Sequence, residues 1–593
     1  MASKTRIIGK KPVPNSTLCD VQYCKGTKEN DYTDKLYVIW RDEHDAKHLE
    51  IVENPPMDIY FTKPEFRNHS HIKTCETLAN LDKVTVPYKD IIYRIAQDMG
   101  EQGQSKLSDI LNSGQAYNRL KEMYFYPFVY GADYDVKAWY RMQWLHKLDT
   151  DKVVKLHKGY MDIEVDGKDV IGMPTPDRCP VNAITLIDEW NKASYTFLCI
   201  EGREDDPQIN HMINHIDKFK EKCHEKFDEM YPGLTYEIMF YKKEEMMLVH
   251  FFELVNTLKM DFIGVWNISF DMPYLLERLE YFGLNPADII CHPDFPDKIC
   301  YFKKDNFNFD IKNKSDFFYC STYTQYYCQM ELYAAIRKST SELKSFKLND
   351  IAKSVLKDNK YDYSDEGSFR DLPYKNYEMF VLYNIKDVLL QYGIEQKTMD
   401  FDTLYARAYF NASSYDEVFK QTRTLRNLQY LKYWKQGLVP GSNINVYNKS
   451  AKQKKEEDGD EDKFEGAIVA RPELNSYMGM DLYGHPSNNI FQYVIDMDMT
   501  AFYPSTIIEL NIDPMTLIFK CIVPKGQFDR GEKKLNSITY TLPEDDDGYD
   551  DADDIAKEVF DNYATKNYLS TGHKFLNFPL ISDVYKRLKK ELG

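Results

Sequence analysis

Apolar positions in the middle of this chain repeat with two different periods, and the two alternate. "GYMDIEV" (Gly159 to Val165) is a strand-like run. Residues two apart on a strand share a face, so Tyr160, Asp162 and Glu164 fall on one side and Met161, Ile163 and Val165 on the other. "DFIGVW" (Asp261 to Trp266) predicts a second strand. "PYLLERLEYFG" (Pro273 to Gly283) carries apolar residues at helical spacing. It predicts a helix beginning after Asp271, with Pro273 in the first turn and Gly283 as the C-terminal cap. "YEMFVLYNIKDVLLQYGIEQK" (Tyr377 to Lys397) predicts a longer helix. Strands alternating with helices predict an α/β unit around a buried sheet.

The flanking segments read differently. "KLYVIW" (Lys35 to Trp40) and "MDIYFT" (Met57 to Thr62) predict strands in a mixed, β-rich scaffold with no evident chemistry. The expected organisation is a mixed α/β domain over 1–156 and the α/β unit over 157–399. A connector with a charged loop follows over 400–480, returning to the first domain. A last segment, 481–593, regains strand character at Tyr493. The fold class is α/β, or α+β across several domains.

Composition narrows the function. The 593 residues include 43% hydrophobic and 14% aromatic residues, enough for large cores. The formal charge of -18 argues against coating nucleic acid by bulk charge, though not against a local basic groove. Part of the acid sits in two runs, Lys454 to Asp462 and Glu544 to Asp554, which read as solvated loops. Eleven cysteines without a C-x-x-C pair argue against a disulfide framework and a structural zinc site. A reducing cytoplasm fits. No apolar run reaches the roughly 18 residues of a membrane span, the N-terminus lacks the apolar core of a signal peptide, and no internal repeat is visible.

The chemistry lies in three acidic islands. Asp162 and Glu164 share a strand face and repel each other; a divalent cation would offset that, while an exposed strand with ordinary acids is the alternative. Asp271, after "WNISF", is either a ligand or simply a helix N-cap. Tyr383 and Asp387 lie four apart on one helix face, a pattern that also arises by chance. Convergence of all four carboxylates would suit magnesium or manganese, which prefer hard oxygen ligands.

In order, "DIE", "WNISFDMPY" and "YNIKD" resemble the Exo I, Exo II and Exo III motifs of DnaQ-like 3′–5′ exonucleases, in the form seen in the phage branch of family B DNA polymerases. The resemblance implies a ribonuclease H-like fold. It implies two magnesium or manganese ions held by Asp162, Glu164, Asp271 and Asp387, with Tyr383 near the attacking water. It also implies DNA contacts by Asn267 and Phe270.

"DMTAFYPS" (Asp498 to Ser505) resembles motif A of the same family. That implies a polymerase metal ligand in Asp498, a carbonyl ligand from Met499, and a sugar-stacking role for Tyr503. Asp496 reads as ordinary. "FEGAIVARPE" (Phe464 to Glu473) resembles the family's Y-x-G-G/A segment, which implies DNA contact by Phe464 and Gly466. The basic stretch Lys586 to Lys590 resembles the first fingers helix, with Lys589 facing the incoming triphosphate. The later K-x₃-N-S-x-Y-G and D-T-D motifs do not occur.

The expectation is therefore the N-terminal part of a replicative DNA polymerase with a proofreading exonuclease. It would act on single-stranded and primer–template DNA and on dNTPs. A partner chain would supply the remaining fingers, palm motif C and thumb, a sliding clamp is a further expected partner, and no membrane is involved. The alternatives are a stand-alone exonuclease with a vestigial palm and a non-catalytic DNA-binding scaffold.

Overall fold

The computed structural model describes residues 3–442, except 14–15, 69–72, 74, 114–118, 148–154, 169, 304–316, 338–344 and 363–366, together with 520–522 and 539–541. Two compact units emerge. One comprises 1–58, 85–91 and 134–437, and the other 59–84, 92–133 and 438–593. Among the described residues no helix is long and apolar enough to cross a membrane.

The first unit begins with an antiparallel sheet of β1 (Lys4–Ile8), β2 (Thr17–Cys24), β3 (Lys35–Arg41) and β4 (Lys47–Glu53), in the order β1-β4-β3-β2. Its larger sheet has six strands: β5 (Lys158–Val165), β6 (Val181–Asp188), β7 (Ala193–Cys199), β8 (Thr235–Tyr241), β9 (Phe262–Val265) and β10 (Gln325–Cys328). Their order is β8-β7-β6-β5-β9-β10. The strands β5, β6 and β7 pair antiparallel, whereas β9 runs parallel to both β5 and β10.

Alternation along these strands divides the core, because successive side chains point to opposite faces. Tyr160, Ala183, Ile187 and Phe262 face one layer, with helices α1 (Pro207–Asn214), α2 (Ile216–Phe227) and α5 (Tyr377–Thr398). Met161, Ile163, Ile184, Leu186, Ile263 and Val265 face the other, with α3 (Glu244–Leu258) and α4 (Ile268–Tyr281). The face division expected for β5 is the one observed, and the molecule has the α/β layering that the alternating periods predict. Of the 22 residues of α5, 16 are buried. A helix buried on nearly every side shows little amphipathicity, so its apolar residues read as an almost continuous run.

One expectation needs correcting. Helix α4 starts at Ile268, not after Asp271, and Pro273 lies inside it. The ring removes the N–H that would bond the Ser269 carbonyl. Burial of Ile268 and Met272, both 0% exposed, holds the extra turn. Asp271 is therefore a helical residue and not a cap. Gly283 does follow the helix, at φ +74°, the left-handed conformation expected there.

The small sheet docks on the larger one through a buried ion cluster. Asp261, just before β9, accepts from Arg41 at 3.2 and 2.9 Å and pairs with Lys47 at 2.9 Å. It also accepts the His157 backbone N–H at 2.8 Å. Burial would raise its pKa, but Lys47 and Arg41 hold the carboxyl down at about 2.

Packing around Gly159 leaves no space even for a methyl group. A Cβ on Gly159 would lie 2.4 Å from the Met260 sulfur and 3.2 Å from the Ile187 carbonyl oxygen. Gly159→Ala is expected to lower the unfolding free energy by about 1–3 kcal/mol, measurable by denaturant titration; a loss below about 0.5 kcal/mol would mean that the Met260 side chain simply moves aside.

The second unit contains helix Gly100–Asn112 and the pairing of Cys75–Thr77 with Leu438–Pro440. It also contains the antiparallel pair Lys520–Ile522 and Thr539–Thr541. Phe464, Gly466, Asp498, Met499, Tyr503 and Lys589 lie outside the described residues.

Candidate active site

Asp162 and Glu164 stand on β5, on the face covered by α5. They extend from the face of Tyr160 toward the end of the strand, where both become partly open to solvent. Asp387 approaches from α5 and is only 2% exposed. One carboxylate oxygen from each of the three lies within 4.8 Å of the other two. Asp271, on the first turn of α4, is 4% exposed and within electrostatic reach of Asp162 and Glu164, though outside that tight group.

This arrangement is expensive without a counter-charge. Two full charges at that separation repel by about 3–4 kcal/mol at an effective dielectric constant of about 20. The titration behaviour reflects it. Burial and then the neighbouring Asp387 push Asp162 up to about 7. Glu164 is raised well above the carboxylate range by burial, then by Asp162 and Asp387. Asp271 is raised by burial and by Asp162. The site draws protons or cations to itself.

One cation is already present. Lys360 places its ammonium 2.5 Å from Asp387 Oδ2 and 3.4 Å from the Tyr383 hydroxyl. Burial opposes its charge most, but Asp387, Tyr383 and Asp162 together outweigh burial, and the Lys360 pKa is raised. Asp387 Oδ1, by contrast, is buried with no hydrogen-bond partner. A buried carboxylate oxygen left unbonded is costly. An unpaired oxygen beside two further carboxylates fits a hard divalent ion, so the residues present suit the metal that the motifs imply. The donors would be Asp162, Glu164 and Asp387, with Asp271 close by.

Tyr383 is 7% exposed, with its ring centroid 4.8 Å from that of Phe369. Asn267 is exposed at the start of α4 and its side chain accepts from Ser269, while Phe270 is half-buried against Tyr274.

Two features escaped the sequence reading. Lys360 lies 27 residues before its carboxylate partner and belongs to no periodic pattern. The second is the loop leaving β5. Arg370 donates to the Val170 and Gly172 carbonyls, the Tyr374 hydroxyl bonds Asp166, and Lys168 sits 3.7 Å over the Tyr374 ring. So held, the loop presents Ile171 at 103% and Met173 at 74% exposure. Two large apolar residues flanking a glycine, in "DVIGMP", were the available signal in the sequence.

Comparison with known proteins gives a domain match over much of this unit. Residues 146–351 match the family model for the exonuclease domain of DNA polymerase family B. That span includes Asp162, Glu164 and Asp271; Tyr383 and Asp387 lie beyond it. A DNA-directed DNA polymerase of Enterobacteria phage T4 is 22% identical over 384 residues, covering 62% of this chain and 36% of its own length. That of Escherichia phage RB69 is 22% identical over 372 residues, covering 61% and 36%. A DNA polymerase of Autographa californica nuclear polyhedrosis virus is 26% identical over 193 residues, covering 32% and 18%. The chain thus spans little more than a third of the length of the phage relatives it matches. Residues 146–351 match an exonuclease domain of the family B type, and the chain is similar to DNA polymerases of phages.

Proposed function

We propose that this chain removes nucleotides from the 3′ end of single-stranded DNA, as the proofreading exonuclease of a replicative family B polymerase. The observation that carries the reading is the meeting of Asp162, Glu164 and Asp387 within 4.8 Å, inside and beside a segment matching that exonuclease domain. Asp162, Glu164, Asp271 and Asp387 would hold two magnesium or manganese ions. When bound, these would stabilise the negative charge that builds on the phosphate under attack.

The chain's own groups do the rest. The Tyr383 hydroxyl, steadied by Lys360, orients a water for in-line attack. Burial raises the Asp387 pKa, and Lys360 opposes that rise, favouring the ionised form that can act as a ligand. Ile171 and Met173 offer an apolar surface to the flat face of a base, and Asn267 and Phe270 line the approach at the start of α4. Synthesis by the same polypeptide is proposed on sequence alone: Asp498 and Met499 as metal ligands, Tyr503 and Lys589 toward a dNTP, Phe464 and Gly466 toward primer–template DNA.

The reading is tested by incubating the pure chain with 3′-end-labelled single-stranded DNA and magnesium. Labelled mononucleotide should appear and a chelator should stop its release; release of 5′-end label as mononucleotide from the outset would contradict the polarity. Lys360→Met is expected to slow release by about 10–100-fold, the usual range for removing a group that orients a metal ligand. An unchanged rate would show that the Lys360 pairing has no part in the reaction.

A further inference from the structure

Of the polar residues buried on α5, three fall at successive turns of one face: Asn384, Asp387 and Gln391. Spacings of three and four place them on one helix face. Each meets the sheet. Thr185 Oγ1 donates to Asn384 Oδ1 at 2.6 Å and also lies 3.0 Å from Thr196 Oγ1. Gln391 Nε2 donates to the Met161 backbone carbonyl at 3.3 Å, and the backbone carbonyl of Gln391 accepts from Gln329 Nε2 at 2.9 Å. Asn384, Gln391, Thr185 and Thr196 are all 0% exposed.

The points of attachment are specific. Thr185 sits opposite Asp162 in the β5–β6 register, and Met161 precedes Asp162 in the chain. The two amides therefore bracket Asp387, one turn before and one turn after, and both grip the strands around Asp162. Between the brackets stand carboxylates that repel one another. Apolar side chains would fill the same space, but they would resist sliding of α5 along the sheet far less, since a hydrogen bond is directional and burial is not.

We infer that Asn384 and Gln391 are positioning residues, holding Asp387 at bonding distance from the cations shared with Asp162 and Glu164. The inference rests on the proposed metal site, and it separates from a purely structural role because it concerns ion affinity.

The test uses the full chain with Mn²⁺ alone as probe and no DNA. Binding is followed by calorimetry or by the electron paramagnetic resonance of free Mn²⁺, and melting is followed in chelator. Asn384→Leu and Gln391→Leu should each weaken Mn²⁺ binding by about 10–100-fold. Thr185→Val, a near-isosteric change, should reproduce the Asn384→Leu effect, and the double variant should add nothing, as expected of partners in one bond. If Asn384→Leu does not fold, Thr185→Val reads the same interaction. Mn²⁺ affinities within twofold of wild type, alongside normal wild-type binding, would overturn the positioning role alone. A wild-type chain taking up no Mn²⁺ would overturn the metal site and this inference with it.

Discussion

Replacing Asp162 or Asp387 by alanine is expected to cut mononucleotide release from 3′-end-labelled single-stranded DNA by at least about a thousandfold, roughly 4 kcal/mol of transition-state stabilisation. The size follows from what the residues hold. Two divalent ions crowd positive charge into a small volume, and each carboxylate removed takes away both a ligand and a compensating charge. Asp387→Ala also strands Lys360, whose 2.5 Å contact to Asp387 Oδ2 disappears and leaves an unpaired ammonium beside the site. Asp162→Ala relieves repulsion, so that variant should melt no lower than wild type in chelator while losing activity. Rates within tenfold of wild type for both variants would remove the exonuclease assignment.

Asp261→Ala is expected to lower the unfolding free energy by about 3–5 kcal/mol, because it leaves Arg41 and Lys47 buried without their shared counter-ion. For a unit of this size that corresponds to a fall in melting temperature on the order of 10 °C. The pH dependence has a definite sign. The folded pKa of Asp261, about 2, lies below its unfolded value near 3.9. Its stabilisation is therefore complete above about pH 4 and is lost as pH falls toward 2. In melting experiments between pH 2 and pH 6, the gap between wild type and Asp261→Ala should narrow at the acid end. A gap that is constant with pH would mean that another group carries the acid sensitivity.

Much of this could be read from the residue pattern, for physical reasons that differ from place to place. β5 was legible because strand alternation is strict: the same period that buries Met161 and Ile163 forces Asp162 and Glu164 onto the opposite face. α5 was legible from its length and apolar content. The start of α4 was not. Proline is favoured in a first helical turn, and that preference set the boundary at Pro273, but burial of Ile268 and Met272 draws the helix a turn further back. Lys360 was invisible because its partner is reached through a non-repeating loop, and loops carry no period from which contacts can be inferred. The amides of Asn384 and Gln391 were hidden in plain sight within an apolar helix. Their significance depends on the register between Thr185 and Asp162, which only the folded sheet supplies.

The proposed chemistry needs Asp162, Glu164 and Asp387 to share divalent cations. Crystals of the full chain soaked in Mn²⁺ and measured at the manganese absorption edge test it most directly. The expected result is anomalous density bounded by oxygens of those three residues, absent in crystals of Asp387→Ala. Anomalous peaks confined to other surfaces, with the three carboxylates paired only to Lys360 or to protons, would contradict it.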